Sequence, residues 1–442
     1  MAQRLTRRRF LVRSGAAAAA LSLPSLWPGR VLGANERLGI AAIGVGGKGD
    51  SDLAFCESET IVALCDVDAA NAAGAFERHR AAPRYRDYRA MLDKEGARID
   101  AVTVSAPDHI HAPASALAMR LGKHVYCQKP LTHSIHEARV LTDLAREKKV
   151  ATQMGNQGYA HPGTRRLAEL IRGGALGAVR EAHVWTDRPI WPQGVDRPAD
   201  TPAAPSTLDW DLWLGPAPSR PYHPAYVPFK WRGWWDFGTG ALGDMGCHNL
   251  GLVFLALEPK APLSVEGESS GSNAETFPAW SIITYTFPGE GGKPGLKLVW
   301  YDGKKKPPAS LAKGKSLPEN GVILVGDKDT LFVPSYWGEG EFLSGAKMED
   351  MKDIPEIWPK RAGAARENDL PHHLEWIEAA KGGPRPLSSF EHSGPMTEAV
   401  LLGNVAIRVG KKFEWDSKSL TAKGAPEVER YVRREYRKGW TL

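Results

Sequence analysis

From residue 38 onward, short runs of apolar and β-branched residues alternate with longer segments rich in alanine, leucine and charge. The runs at 38–45, 60–66, 100–105, 123–127 and 150–153 have the length of buried strands, and the segments at 69–79, 113–120 and 134–148 have the length of helices. Strand and helix in alternation predict an α/β domain over residues 35–155, a doubly wound parallel sheet of the Rossmann type. The texture changes near 153–158. One more helix is expected at 163–172 and a strand at 179–187, ahead of a proline- and tryptophan-rich stretch at 189–235. Beyond it, strand candidates at 281–287, 296–301 and 321–325 are separated by turns instead of helices. That order predicts a second, α+β domain over 156–442 with a mainly antiparallel sheet. Helices at 371–381 and 395–408 are expected to pack back on the two domains.

The first 34 residues follow a different pattern. Arg7, Arg8 and Arg9 precede an apolar, alanine-rich stretch at 15–26 that Pro24 interrupts, and small residues follow around Gly33. The stretch falls short of the ~20 residues that cross a bilayer. Paired arginines before a short apolar run have the layout of a twin-arginine signal. The expectation is export by the twin-arginine machinery to the periplasm, with a membrane tether if the signal is not cleaved. The same leader explains the net charge of +6: six of the 57 basic residues lie in it, and the remaining 51 match 51 acids. A neutral mature chain lacks the basic surface of a duplex binder, so no nucleic-acid partner is expected. Cys56, Cys65, Cys127 and Cys247 show no C-x-x-C spacing and read as buried thiols, without a zinc knuckle or a disulfide frame.

Chemistry begins directly after the first predicted strand, where Gly44-Val45-Gly46-Gly47-Lys48-Gly49 has the G-x-G-x-x-G spacing. Glycines at these positions allow a tight turn and close approach of a pyrophosphate to a helix N-terminus. The second strand ends in Asp66, 17 residues after Gly49. A carboxylate there accepts ribose hydroxyls and repels a 2′-phosphate, and no arginine follows within residues 67–70, so NAD is favoured over NADP. Gly49 stands where a nucleoside-triphosphate loop requires serine or threonine, which excludes that class.

Three further motifs are Ala106-Pro107-Asp108-His109-Ile110-His111, Gln128-Lys129-Pro130 and Gly243-Asp244-Met245-Gly246-Cys247-His248. With the glycine loop, they make the chain resemble the glucose-fructose oxidoreductase, inositol dehydrogenase and MocA (Gfo/Idh/MocA) family of sugar and cyclitol oxidoreductases, from about Arg37 to the C-terminus. The resemblance implies that Lys129, Asp244 and His248 line the site where hydride leaves the substrate. It also implies that the 106–111 loop, with Ala106, Pro107, His109 and His111, lies beside the cofactor, and Gln128 and Asn156 join that set. Assembly as a homo-oligomer through the C-terminal sheet is expected as well.

The residues make chemical sense by themselves. Lys129 follows a predicted parallel strand, at the edge where open α/β sheets bind ligands. Asp244 and His248 are four apart, on one face of a helix. An imidazole can take the hydroxyl proton, a carboxylate can orient it, and an ammonium can stabilise developing alkoxide. Gln128 departs from the family's glutamate, removing a negative charge beside Lys129 and favouring the neutral lysine. His109 and His111 form an H-x-H pair without a third ligand, so no metal is expected. Seven tryptophans fall between residues 185 and 235. Most read as packing, while Trp191 and Trp235, with His161 and Arg188, are candidates to line a sugar pocket together with Lys129 and His248.

The first functional reading is an NAD-dependent oxidoreductase acting on a secondary hydroxyl of a sugar, sugar acid or cyclitol. An exported enzyme meets no pool of free NAD, which favours a tightly held cofactor. A second reading is a glycoside hydrolase that uses bound NAD for transient oxidation of the sugar ring. A third, a binding protein without turnover, is disfavoured by the intact Lys129, Asp244 and His248.

Overall fold

The computed structural model describes residues 36–442 apart from 272, 290–291, 293–294 and 360–368. The signal expected at 1–34 lies outside the described residues. The first half runs β1 (Gly39–Ile43), α1 (Lys48–Ala54), β2 (Thr60–Cys65), α2 (Ala73–Arg78), β3 (Arg84–Tyr85), α3 (Tyr88–Glu95), β4 (Ala101–Val104), α4 (Asp108–Arg120), β5 (His124–Cys127), α5 (Ile135–Lys148) and β6 (Thr152–Met154). Its six strands are parallel and ordered β3-β2-β1-β4-β5-β6. Chain order reverses between β1 and β4, and the carboxyl ends of strands at such a switch point form a crevice for ligands. Every residue of β1 and β4 is buried, because helices cover both faces of the sheet.

The second half continues with α6 (Pro162–Arg172), β7 (Val179–Trp185), α7 (Trp210–Leu214), α8 (Gly240–Asn249), α9 (Gly251–Leu257), β8 (Ser264–Ser269), β9 (Ser281–Phe287), β10 (Leu296–Tyr301), β11 (Gly321–Gly326), β12 (Thr330–Val333) and β13 (Glu341–Phe342). It closes with α10 (Asp369–Ala380), α11 (Phe390–Val409), β14 (Phe413–Asp416), β15 (Thr421–Lys423) and α12 (Glu429–Val432). Nine strands are ordered β13-β12-β11-β7-β10-β9-β8-β14-β15. Among the described residues of this sheet, only the β7–β10 pair is parallel. The two halves are tied together by the C-terminal helices: α11 packs on α5 and α8, and Gln153 donates to the His372 carbonyl of α10 at 2.6 Å.

Two helices begin earlier than their prolines suggested. Pro113 and Pro395 read as first helical residues, yet α4 starts at Asp108 and α11 at Phe390. For α4 the physical reason lies upstream, where Asp108 in the first turn complements the positive end of the helix.

Candidate active site

The carboxyl ends of β1, β2, β4 and β5 open on a cavity of about 570 Å³. The Rossmann half contributes Gly44, Gly46, Gly47, Asp66, Ala106, Pro107, His111, Gln128 and Lys129, and the second half contributes Trp213, Phe229, Arg232 and His248.

The glycine loop has the shape a dinucleotide requires. Gly44 has a φ of +75°, and a Cβ there would lie 2.8 Å from the Ser105 backbone. A Cβ at Gly49 would come within 2.0 Å of the Gly44 carbonyl oxygen, so these two positions set the tight turn. Gly47, at φ +55°, faces open space. Asp66 closes the loop from β2: Oδ2 accepts from the amides of Val45 at 2.9 Å and Gly46 at 3.3 Å, and Oδ1 accepts from Asp68 at 2.9 Å. Burial pushes this carboxyl above its ordinary range, against the pull of those amides. Val45 and Gly49 thus shape the loop through their backbones. The residues present fit a dinucleotide.

Lys129, two residues past the end of β5 and next to Gln128, reaches across to α8. Its ammonium donates to Asp244 Oδ1 at 2.7 Å and to the Asp244 carbonyl at 2.9 Å, and Arg232 Nε donates to the same carboxylate oxygen at 3.1 Å. Burial opposes ionisation of Asp244, but the two cations outweigh it and hold the carboxyl well below its usual range. The carboxylate expected to orient His248 is therefore committed to Lys129 and Arg232. His248 Nδ1 is buried without a hydrogen-bond partner, and the ring lies instead against Tyr336 and Trp337, at centroid distances of 5.9 and 5.8 Å. Burial, reinforced by Lys129, lowers the imidazole to about 3, so it is neutral at physiological pH.

Gln128 also finds a different setting from the one its sequence implied. Its amide Nε2 donates to Asp52 Oδ2 at 2.8 Å. Asp52, on α1, is fully buried and also receives Ser105 Oγ at 2.7 Å and Lys48 Nζ at 3.0 Å, with His373 Nε2 at 3.4 Å. A negative charge therefore remains next to this position, carried by Asp52 instead of residue 128.

Sequence reasoning missed Asp108, Arg232 and Lys48 as cavity residues. Asp108 accepts from Thr239 Oγ1 at 2.5 Å, and burial pushes its carboxyl up to about 7, against Thr239, Arg232 and Lys129. Its place between Pro107 and His109 in the loop after β4 was the available signal. In the unfolded chain this group titrates near 3.8. The folded state therefore holds a proton that the unfolded chain releases between pH 4 and 7. That contribution is complete below about pH 4 and is lost as pH rises through 7, by up to about 4 kcal/mol. Thermal unfolding followed from pH 4 to 8 should show this decline, and Asp108→Asn, neutral throughout, should flatten it.

Other expected residues lie elsewhere. His109 is fully buried between the carbonyls of Phe237 and Trp213, at 3.1 and 2.9 Å, and does not reach the cavity. His111 does, clamping the loop to the carbonyls of Ala106 and Pro130 at 2.7 Å each. Asn156 donates to the Cys247 carbonyl at 2.9 Å, bracing α8 from outside this cavity. His161 caps α6 by accepting from Gly163 at 3.0 Å, and Arg188 pairs with Asp187 at 2.6 Å. Trp191 donates to Gln193 at 2.9 Å and meets the site through Arg232, which lies 5.9 Å over its ring, and Phe229, whose ring centroid is 5.8 Å away. Trp235 donates to the Asn273 carbonyl and borders a different cavity. Among the described residues no cluster of three or more His, Cys, Asp or Glu side chains could hold a metal, and the four cysteines are free and buried.

Comparison with known proteins places this geometry in a family. Residues 38–156 match the NAD-binding Rossmann fold of the oxidoreductase family, and residues 185–312 match the C-terminal alpha/beta domain of the same family. The chain belongs to the Gfo/Idh/MocA oxidoreductase family. It is 30% identical to inositol 2-dehydrogenase of Rubrobacter xylanophilus over 33% of this chain and 43% of that protein. It is 36% identical to a dTDP-3,4-didehydro-2,6-dideoxy-alpha-D-glucose 3-reductase of Streptomyces violaceoruber over 21% of this chain and 27% of the relative. The chain thus spans less than half the length of these curated relatives. Among solved structures, the WlbA dehydrogenase of Bordetella pertussis, in complex with NADH and UDP-GlcNAcA, shares the fold with a TM-score of 0.61 at 14% identity, over 86% of this chain and 99% of that one.

Proposed function

We propose that the protein oxidises a secondary hydroxyl of a sugar, sugar acid or cyclitol with NAD. The observation that carries this reading is the single cavity that holds the glycine loop and Asp66 together with Lys129 and His248. The matched relatives, an inositol dehydrogenase and a deoxysugar reductase, act on ring hydroxyls or ketones of this class by their names.

NAD, when bound, supplies the hydride acceptor, with Asp66 and the glycine loop as its adenosine and pyrophosphate sites. The chain's own residues manage the proton and the charge. Neutral His248 accepts the hydroxyl proton as the C–H bond breaks. Lys129, anchored by Asp244, donates a hydrogen bond to the substrate oxygen as negative charge develops there. Arg232 shares Asp244 and keeps the pair in register.

Export through the twin-arginine route and retention of the cofactor belong to the same proposal. A protein outside the cytoplasm that released NADH each cycle would stall, so hydride taken from one substrate is returned to another. Purification without added cofactor, followed by denaturation, is expected to release close to one NAD per chain. The same protein should oxidise members of a sugar and cyclitol panel when a second sugar is present as acceptor. A cofactor-free preparation that reduces added NAD stoichiometrically would return the reading to an ordinary dehydrogenase. Release of aryl aglycone without net redox change would favour the hydrolase instead. No turnover on any panel member, with NAD bound, would leave a binding protein.

A further inference from the structure

A second cavity, of about 100 Å³, is separate from the first and carries unusual charge. Its wall includes Arg408, Arg430, Arg433 and Arg434, and among the described residues no carboxylate lines it. Two acids act on these arginines from outside the wall. Glu137 accepts from the amides of His133 and Ser134 at 3.0 and 2.8 Å and from Tyr436 at 2.6 Å, and pairs loosely with Arg434 Nε at 4.0 Å. Asp236 is bonded to Arg220 and its charge also reaches Arg408.

Three buried polar atoms on the residues of this wall have no hydrogen-bond partner: His133 Nε2, Arg434 Nη1 and Asn404 Oδ1. Leaving such groups unpaired destabilises the fold. An occupant that pairs them would recover that cost. Arg408 lies against two rings, its guanidinium carbon 4.7 Å from the centroid of Trp235 and 4.4 Å from that of Tyr431. Ser134 and Ile135, at the start of the 14-residue α5, also border the cavity, with the Ser134 amide and hydroxyl engaged in a capping box with Glu137.

Size and donor pattern select the ligand. A water occupies ~30 Å³ of liquid, so the cavity has room for about three waters, a volume that matches a compact oxyanion. Guanidinium groups suit phosphate oxygens by charge and geometry. Asn404 Oδ1, an acceptor amid donors, matches the single hydroxyl of monohydrogen phosphate. We propose that this cavity binds a compact oxyanion of the phosphate class. Thr239 joins it to the catalytic side: it borders this cavity, its carbonyl accepts from Asn404 at 2.8 Å, and its hydroxyl donates to Asp108 at 2.5 Å in the first cavity.

The test titrates the full chain with inorganic phosphate, against sodium chloride at equal ionic strength, and reads thermal unfolding and tryptophan fluorescence, which Trp235 reports from the cavity wall. Phosphate should raise Tm saturably by a few degrees, ~2–4 °C, and chloride should not. Arg430→Ala and Arg433→Ala, at exposed positions that cannot decide folding, should each weaken the midpoint several-fold. Arg408→Leu should weaken it by at least about tenfold. If Arg408→Leu fails to fold, the two exposed variants decide. A shift that chloride reproduces, a response that never saturates, or an unchanged midpoint in both exposed variants overturns the proposal.

Discussion

Replacing His248 with alanine is expected to lower turnover by ~10²–10⁴-fold, the range that general acid–base catalysis contributes, while the dissociation constant for NAD stays within a few-fold of the parent. The expectation follows from how the imidazole is held. It makes no hydrogen bond to Asp244, which is spent on Lys129 and Arg232, so its removal leaves that ion pair standing. Nor does it touch the glycine loop or Asp66. What disappears is the neutral acceptor for the hydroxyl proton, together with ring contacts to Tyr336 and Trp337. Steady-state rates and NAD binding measured on the same preparation separate the two effects. Unchanged turnover would remove His248 from the chemistry, and lost NAD binding would mean that α8 had moved as a whole. The glutamine variant, which keeps a polar group but is far too weak a base, should behave like alanine.

The alternation of strand and helix and the G-x-G-x-x-G loop were legible because both depend on local constraints. A strand buried on both faces must be apolar throughout, as β1 and β4 are, and a pyrophosphate turn must be glycine-rich. Strands without an apolar run escaped. β8 reads Ser-Val-Glu-Gly-Glu-Ser and holds its place only because β9 and β14 pair with it on either side. Within the site, the residues of the motifs were readable but their partners were not. Spacing of four on a helix brought Asp244 and His248 to one face, yet Lys129, 115 positions earlier, takes the carboxylate. Asp108 read as one residue of the 106–111 loop, and neither the burial that raises its pKa nor its bond to Thr239, 131 residues away, could be seen there. Trp235 and His161 were chosen for the chemistry of their side chains, and tertiary packing assigned them to other tasks. Long-range pairing of this kind leaves no local trace.

The same long-range logic governs Gln128, and it yields the other large expected effect. Restoring the family's glutamate, Gln128→Glu, would replace a donor by a carboxylate at 2.8 Å from Asp52 Oδ2. Asp52 is fully buried, and burial opposes its charge, but Lys48 foremost, with His373 and Ser105, holds it ionised well below its normal range. A second buried carboxylate has no cation of its own, because Lys48 is shared between Asp52 and Asp369, at 3.0 and 2.7 Å. Stability should fall by about 3–5 kcal/mol at pH 8, the cost of an uncompensated buried charge. Acidification should restore part of it. The carboxyl at 128 has a raised folded pKa, so its penalty is absent below its unfolded value and grows as pH rises through the folded one. Adding Asp52→Asn to Gln128→Glu reverses the pair, putting an amide donor opposite a carboxylate, and should recover ~1–3 kcal/mol relative to the sum of the single changes. Urea unfolding of the four proteins at pH 6 and pH 8 measures both effects. If Gln128→Glu matches the parent at pH 8, or if the double change is simply additive, Asp52 does not set the identity of residue 128. A favourable, pH-dependent coupling would mean that this chain keeps its buried carboxylate on α1 in place of the one before Lys129, so that the glycine-loop helix and the lysine strand are held by one shared charge.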